Sequence, residues 1–319
     1  MYEIKHAVAK GLGMFAKTSI PRGTRILAEK PVFTVKSESD VFKAFRYLGE
    51  GEQREFKQLS VNPAGRSNVL GWATAAWHAA RSLLAGTENG DPSDTKARNR
   101  PPPYAKSIME FPSVLNIFRN NNFDVGKDKQ AVFRDICRIN HACVPNAQGN
   151  FNTSLGRFTV HALRRIDQDE EITLSYLAEH GASRDSRQNR LSGHYGFPCD
   201  CAACDITTDR GRMGEKARQN MQARLHAYAE QAGEREEPDH VAELEVMQDM
   251  IQMYETDGLA GRELATMCFA AAELAVKVGS RDVALRLSQK GLQLDEDAVG
   301  DDSPILVESR SRVKAMAIV

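Results

Sequence analysis

Hydrophobic positions change their spacing along the chain, and each change predicts a different element. Over residues 4–35, Ile4, Val8, Met14, Phe15, Ile20, Ile26, Leu27, Val32, Phe33 and Val35 stand at strand-like intervals between glycines and prolines, a β pattern. Within it, Ile20-Pro21-Arg22-Gly23-Thr24-Arg25-Ile26 sets Pro at a turn start and Gly where a positive φ is expected. Residues 41–59 and 74–84 read as helical, 86–103 as a polar loop ending extended at Pro101-Pro102-Pro103, and 108–118 as a further helix. Short β segments return from about residue 130. In 156–162 apolar and polar residues alternate, which predicts a half-buried strand with His161 on its solvated side. A second corner, Ile166-Asp167-Gln168-Asp169-Glu170-Glu171-Ile172, repeats the Ile-to-Ile spacing of the first and leads into a strand-like run over 173–176.

From residue 216 onward the period is helical. Asp239 is placed to cap a helix carrying Val241, Leu244, Met247, Met250, Ile251 and Tyr254 on one side, and Leu264, Met267, Cys268, Ala271, Leu274, Ala275 and Val278 repeat the pattern up to Gly279. Ser280 is placed to cap the next helix, with Asp282 in its first turn and Leu285 and Leu287 on its buried side. Short loops between such helices predict antiparallel helix hairpins. These Met and Leu stripes read as core, and Cys268 as a small buried hydrophobe.

Charge removes whole classes of function. The 319 residues carry 42 Lys+Arg against 43 Asp+Glu and are 41% hydrophobic, a globular balance for which two domains is the natural prior. There is no basic stripe for direct nucleic-acid binding. No run approaches the roughly 20 apolar residues of a membrane span, and Met1-Tyr2-Glu3-Ile4-Lys5-His6 does not open a secretory signal. The expected setting is intracellular and reducing, cytoplasmic or nuclear, where the six cysteines (137, 143, 199, 201, 204 and 268) are thiols or metal ligands.

Three stretches carry candidate chemistry. Arg138-Ile139-Asn140-His141-Ala142-Cys143-Val144-Pro145-Asn146 packs an amide, an imidazole and a thiol before a proline, and is expected as a sharply bent loop outside the apolar core. Cys199-Asp200-Cys201-Ala202-Ala203-Cys204 offers three thiols within six residues, which suits one tetrahedral Zn²⁺ better than a redox Cys-x-x-Cys pair. By residue type the fourth ligand could be Cys143, Cys137, His194 or His226. Protein ligands at every position make such a metal structural, with no site to activate water. Lys10-Gly11-Leu12-Gly13-Met14-Phe15 allows close backbone approach to a ligand, but lacks the third glycine of a dinucleotide fingerprint.

Taken in order, Gly11-x-Gly13, Ile20-x-x-Gly23-x-x-Ile26, Asn140-His141-x-Cys143-x-Pro145-Asn146, Glu170-Glu171-Ile172-x-x-x-Tyr176 and Tyr195-x-Phe197-x-Cys199-x-Cys201-x-x-Cys204 resemble a SET-domain methyltransferase, in particular the SMYD group and similar fungal SET proteins. The resemblance covers 4–40 and 105–210 through motifs, and the C-terminal helices more loosely, as a tetratricopeptide-like domain. It implies an α+β chain: a SET-type β fold with a pseudoknot, a helical insert, a post-SET zinc site and a C-terminal α-helical domain. The segments expected are 1–40 for the N-terminal β part, 41–119 for the insert, 120–180 for the rest of the SET core, 181–210 for the zinc segment and 211–319 for the helical hairpins.

The resemblance further implies S-adenosylmethionine as cofactor, met by Lys10, Gly11, Leu12, Gly13, Met14, Asn121, Asn140, His141, Tyr176 and Phe197. It makes Tyr176 the catalytic tyrosine, sets Phe123, Tyr176 and Tyr195 along a lysine channel, and chooses Cys143 to join Cys199, Cys201 and Cys204 on zinc. The implied reaction is in-line attack of a neutral protein lysine amine on a sulfonium methyl group, by a monomer with no membrane partner. Two departures stand out. Asp169 occupies a corner position where the family usually has Gly, and residues 17–136 contain no cysteine, so the MYND finger is absent. A small-molecule methyltransferase and an inactive SET-fold interaction protein are the alternative readings.

Overall fold

The computed structural model describes residues 1–8, 10–62, 77 and 104–318. The predicted helix at 74–84, apart from residue 77, and the predicted loop at 86–103 lie outside the described residues. Contacts divide the chain into a first unit of Met1–Glu29, Ile139–Leu191 and Pro198–Val319 and a second of Lys30–Arg138 and Ser192–Phe197.

In the first unit the predicted β region forms two small sheets. Strands β1 (Tyr2–Ala7) and β2 (Gly11–Ala16) make a hairpin in which Ala7 faces Gly11. Gly11 sits at φ +74, which closes that turn without strain. The sheet continues to β10 (Glu171–Leu174) and β7 (Asn140–His141) in the order β1-β2-β10-β7. β10 is antiparallel to β2 and parallel to β7, with Thr173 facing Asn140 and Leu174 facing His141. The second sheet orders β3 (Arg25–Glu29), β9 (Arg157–Ala162) and β8 (Ala147–Asn152).

The two Ile-to-Ile corners pair with each other: Ile20 and Ile166 exchange backbone hydrogen bonds of 2.8 and 2.9 Å, and both are buried. Gly23 supplies φ +76 in the first corner and Asp169 φ +64 in the second. The left-handed turn is thus made where the family usually has glycine, at the steric cost of a Cβ.

The reading of β9 as half-solvated is corrected. Phe158 through Ala162 are all buried and His161 is 1% exposed. Its far face is covered by the C-terminal region: Asn150 donates to Ala298 O at 3.0 Å, and Arg25 joins His161 (Nε to Nε2, 3.2 Å) to Asp302. Local alternation could not reveal a cover supplied some 140 residues later in the chain. Gly300 is required there, because a Cβ at that position would lie 2.6 Å from His161 Nε2.

The C-terminal helices follow the predicted period. They are α5 (Asp209–Gly233), α6 (His240–Asp257), α7 (Arg262–Lys277), α8 (Arg281–Val299) and α9 (Ile305–Ile318), preceded by α4 (Arg184–Tyr195). Asp239 caps α6 by accepting from Ala242 N at 3.0 Å, and Gly279 takes φ +76 after α7. Val241, expected on the buried side, is exposed, and the stripe instead includes Val246 and Met253. Ser280 occupies the cap position of α8 without a side-chain cap bond. That helix fully buries Ala284, Ser288 and Gly291, while Leu287 packs partly buried against the helical core and Leu285 is half-buried. Small residues let it approach α7 closely: a Cβ on Gly291 would stand 3.0 Å from the Phe269 ring and 3.1 Å from Ala265 O. Among the described residues no helix is long and apolar enough to cross a membrane.

In the second unit the helix expected over 41–59 is two, α1 (Glu38–Tyr47) and α2 (Glu50–Lys57). Gly49 breaks the run, its N–H donating to Glu52 Oε2 at 2.9 Å, the half of a capping box that needs no cap side chain. With α3 (Tyr104–Asn121) and the sheet β4 (Phe33–Val35), β6 (Gln130–Val132) and β5 (Phe123–Asp124), they bury Val41, Phe42, Phe45, Phe56, Leu115 and Phe118.

Candidate functional site

The hairpin turn, β7 and β10 bring polar groups together around Gly13. Asn140 Nδ2 donates to Leu12 O at 3.2 Å and to Glu171 Oε1 at 2.8 Å. A Cβ on Gly13 would stand 2.6 Å from that Glu171 oxygen and 3.0 Å from Asn140 Nδ2, so glycine lets these side chains close on the strand without shifting. Lys10 Nζ lies 3.9 Å from Glu171 Oε2 and 3.2 Å from Asp200 Oδ1. Burial works against its charge, but the Asp200 hydrogen bond and both carboxylates outweigh that and raise its pKa. Met14 is fully buried.

The run 138–146 does not lie outside the core as expected. Ile139, His141, Cys143 and Asn146 are all buried, and the polar ones are buried because each has partners. Asn146 Nδ2 donates to Glu170 Oε1 (3.0 Å) and Glu171 O (2.8 Å), while its Oδ1 accepts from Thr173 N (2.8 Å) and Thr173 Oγ1 (3.3 Å). An amide so saturated clamps the loop onto β10.

Beyond β10 the chain reaches Tyr176. Its hydroxyl donates to Ile139 O at 2.7 Å, and its backbone N–H donates to His141 Nδ1 at 3.0 Å. The two rings lie 5.3 Å apart, tilted by 46°. Burial holds His141 neutral, pushing its pKa down to about 4. Its Nε2 lies 3.4 Å from Cys143 Sγ.

Cys143, Cys199, Cys201 and Cys204 converge, their sulfurs all within 4.8 Å of one another. Cys143 Sγ is 4.0 Å from Cys199 Sγ and 3.5 Å from Cys204 Sγ, far beyond the roughly 2.05 Å of a disulfide. A tetrahedron with Zn–S near 2.3 Å has edges of about 3.8 Å, so both the distances and the donor set fit Zn²⁺. A metal held by all four sulfurs would have no open position and would be structural. Hydrogen bonds from neighbouring thiols hold Cys201 low and draw Cys204 to about 7, whereas those to Cys143 push it up.

The cysteine cluster is braced by α4, from which Arg184, Arg187 and Gln188 reach it at helical spacing. Gln188 makes a reciprocal pair with the Cys199 backbone (2.6 and 2.8 Å), Arg184 Nε donates to Cys204 O at 2.8 Å, and Arg187 Nη2 donates to Ala203 O at 3.2 Å and reaches Cys204 Sγ at 3.8 Å. Arg187 is fully buried, with Glu215 Oε2 3.8 Å from its Nη1.

Sequence reasoning missed Asn146, Glu171, Asp200 and Arg187. Glu171 and Asp200 stood inside quoted motifs, and their charge was the available signal; Arg187 had none. The other candidates belong to the second unit. Asn121 Nδ2 donates to Ile117 O and Ser60 O, each at 2.7 Å. Phe123 meets Phe133 edge-on at 5.8 Å, and Tyr195 lies 6.4 Å from Phe197. Burial raises the Tyr195 pKa. Of the rejected zinc candidates, Cys137 donates its thiol to Asn121 O at 3.3 Å.

Comparison with known proteins gives these features a lineage. Histone-lysine N-methyltransferase set5 of Schizosaccharomyces pombe is 30% identical over 207 residues, covering 65% of this chain and 51% of that protein. The putative SET domain-containing protein L678 of Acanthamoeba polyphaga mimivirus is 26% identical over 206 residues, 61% of this chain and 74% of that one. N-lysine methyltransferase SMYD2 of Gallus gallus is 32% identical over 106 residues, 33% of this chain and 24% of that one. The chain thus spans about half the length of the first of these relatives and a quarter of the last. The family model described as SET domain matches residues 11–177, more than half of the chain, and the chain belongs to the SET-domain family.

Proposed function

We propose that this chain is an S-adenosylmethionine-dependent methyltransferase that acts on protein lysine. The cofactor, when bound, supplies a sulfonium methyl group to an uncharged amine. The observation that carries the reading is the bonding of Tyr176: its hydroxyl proton is committed to Ile139 O at 2.7 Å. An oxygen bonded in that way acts on any third group as an acceptor, which suits it to orient an amine N–H and a positively polarised methyl.

The mixed charges at the hairpin support a zwitterionic ligand. Lys10 offers a cation, Glu171 and Asp200 offer anions, and the backbone of Gly11, Leu12, Gly13 and Met14, with Asn140 and His141 opposite, forms the rest of the proposed cofactor wall. Asn121 and Phe197 as cofactor contacts, and Phe123 and Tyr195 as channel aromatics, rest on the family resemblance. Aromatic walls would disfavour a charged lysine and so deliver the neutral nucleophile. Cys143, Cys199, Cys201 and Cys204 would hold zinc, which ties the 138–146 loop to the 199–204 segment without entering the reaction.

Calorimetric titration with S-adenosylmethionine, paired with transfer of its labelled methyl group to a protein extract, tests the reading. Tyr176→Phe is expected to keep cofactor affinity and lose about 100-fold in transfer. Wild-type protein that binds no cofactor would overturn the proposal. Label entering small molecules alone would support the biosynthetic alternative instead.

A further inference from the structure

The His141 side chain is the bridge between two parts of the molecule that the proposed function keeps apart. A backbone N–H can only donate, so His141 Nδ1, 3.0 Å from Tyr176 N, is the acceptor and carries no proton. In a neutral imidazole the proton then sits on Nε2, which faces Cys143 Sγ at 3.4 Å. A metal-bound thiolate accepts that hydrogen bond well, since metal ligation keeps the sulfur anionic. The chain Tyr176 N–H to imidazole to sulfur is therefore directional from end to end. It is also sheltered, with His141 4% and Cys143 1% exposed.

The backbone reinforces the same link. His141 faces Leu174 across the parallel β7–β10 pair, and Ala142 N donates to Leu174 O at 3.0 Å. Tyr176 is then gripped twice by one short segment, its hydroxyl on Ile139 O and its amide on the His141 ring. Cys143, two residues on, closes the segment at the four-cysteine cluster.

We infer that His141 is a positioning residue: its ring, which accepts from Tyr176 N on Nδ1 and faces Cys143 Sγ with Nε2, holds the backbone of Tyr176, so that the four-cysteine cluster sets the placement of the tyrosine. The role assigned to Tyr176 rests on the proposed function, whereas the hydrogen-bonded chain itself does not. Outer-shell partners of metal ligands commonly change affinity by about 10- to 100-fold.

The test uses full-length protein with ¹⁵N-labelled histidine and ¹¹³Cd in place of zinc. The inference expects the Nε2–H tautomer at His141 and a scalar coupling between ¹¹³Cd and that proton, transmitted through the hydrogen bond. An Nδ1–H tautomer, or an Nε2–H proton with no metal coupling, would overturn it. A second arm uses His141→Asn, whose side-chain oxygen can replace Nδ1 but not reach sulfur. That variant is expected to release metal to a chelator about 10-fold faster or more, and to lower kcat. Unchanged release would contradict the link to sulfur, and unchanged kcat would contradict the placement of the tyrosine. The labelling and metal-release readouts need no methyl transfer, so they stand or fall apart from the proposed function.

Discussion

Replacing Cys143 with serine subjects the metal assignment to a quantitative test. The four sulfurs lie within 4.8 Å of one another, and Cys143 is 4.0 and 3.5 Å from Cys199 and Cys204, a fit to a tetrahedron of about 3.8 Å edge. Structural zinc sites are worth about 10–16 kcal/mol near pH 7. Shared equally among four thiolates, one ligand carries about 2.5–4 kcal/mol, which is a loss of about 100- to 1000-fold in affinity. Serine also removes the anionic acceptor facing His141. The assay is zinc content by mass spectrometry after dialysis against graded chelator, with Cys137→Ser and Cys268→Ser as controls, since neither sulfur belongs to the cluster. The expected result is an early loss of zinc in Cys143→Ser alone, with exposure of the 199–204 segment to protease. Zinc content and chelator resistance equal to wild type would refute the reasoning.

Arg187→Gln leaves Glu215 and the sulfurs without their buried guanidinium and is expected to cost about 3–5 kcal/mol, read as a lower urea midpoint and faster zinc release. Asp169→Gly relieves the φ +64 turn and should raise that midpoint by the equivalent of about 1 kcal/mol; no change would mean that the turn holds aspartate without strain. Burial, with Arg25 beside it, pushes the His161 pKa down to about 4. A histidine whose folded pKa is depressed is stabilising above its unfolded value near 6.5 and loses that contribution as pH falls towards 4. Wild-type stability should therefore drop across that window by about 1–3 kcal/mol more than that of His161→Gln, and parallel pH profiles would contradict it. Gly300→Ala, whose Cβ would press on His161 Nε2 at 2.6 Å, should destabilise the protein at every pH.

What was legible in the sequence was whatever short-range chemistry dictates. The two Ile corners announced themselves by spacing, and in the structure they pair with each other. The cysteine run declared a metal site, yet spacing could not select its fourth ligand among Cys143, Cys137, His194 and His226. That choice came from the resemblance, and the cluster agrees with it. Illegible features were those decided by distant partners. His161 alternates as a solvated residue should, but the 298–302 region covers it. Helix α4 shows no apolar stripe because it turns Arg184, Arg187 and Gln188 to the cysteine segment, with Leu191 buried beside them. The 138–146 run looked too polar for an interior, and only the partners of Asn146 and His141 explain how it can be there.

The central claim is methyl transfer to protein lysine through Tyr176. The most direct measurement incubates the zinc-loaded protein with methyl-labelled S-adenosylmethionine and a whole-cell extract, then separates protein from metabolites and maps the label by mass spectrometry. The account predicts label on lysine side chains of protein, lost in Tyr176→Phe. Label confined to metabolites, or protein labelling untouched by Tyr176→Phe, would contradict it.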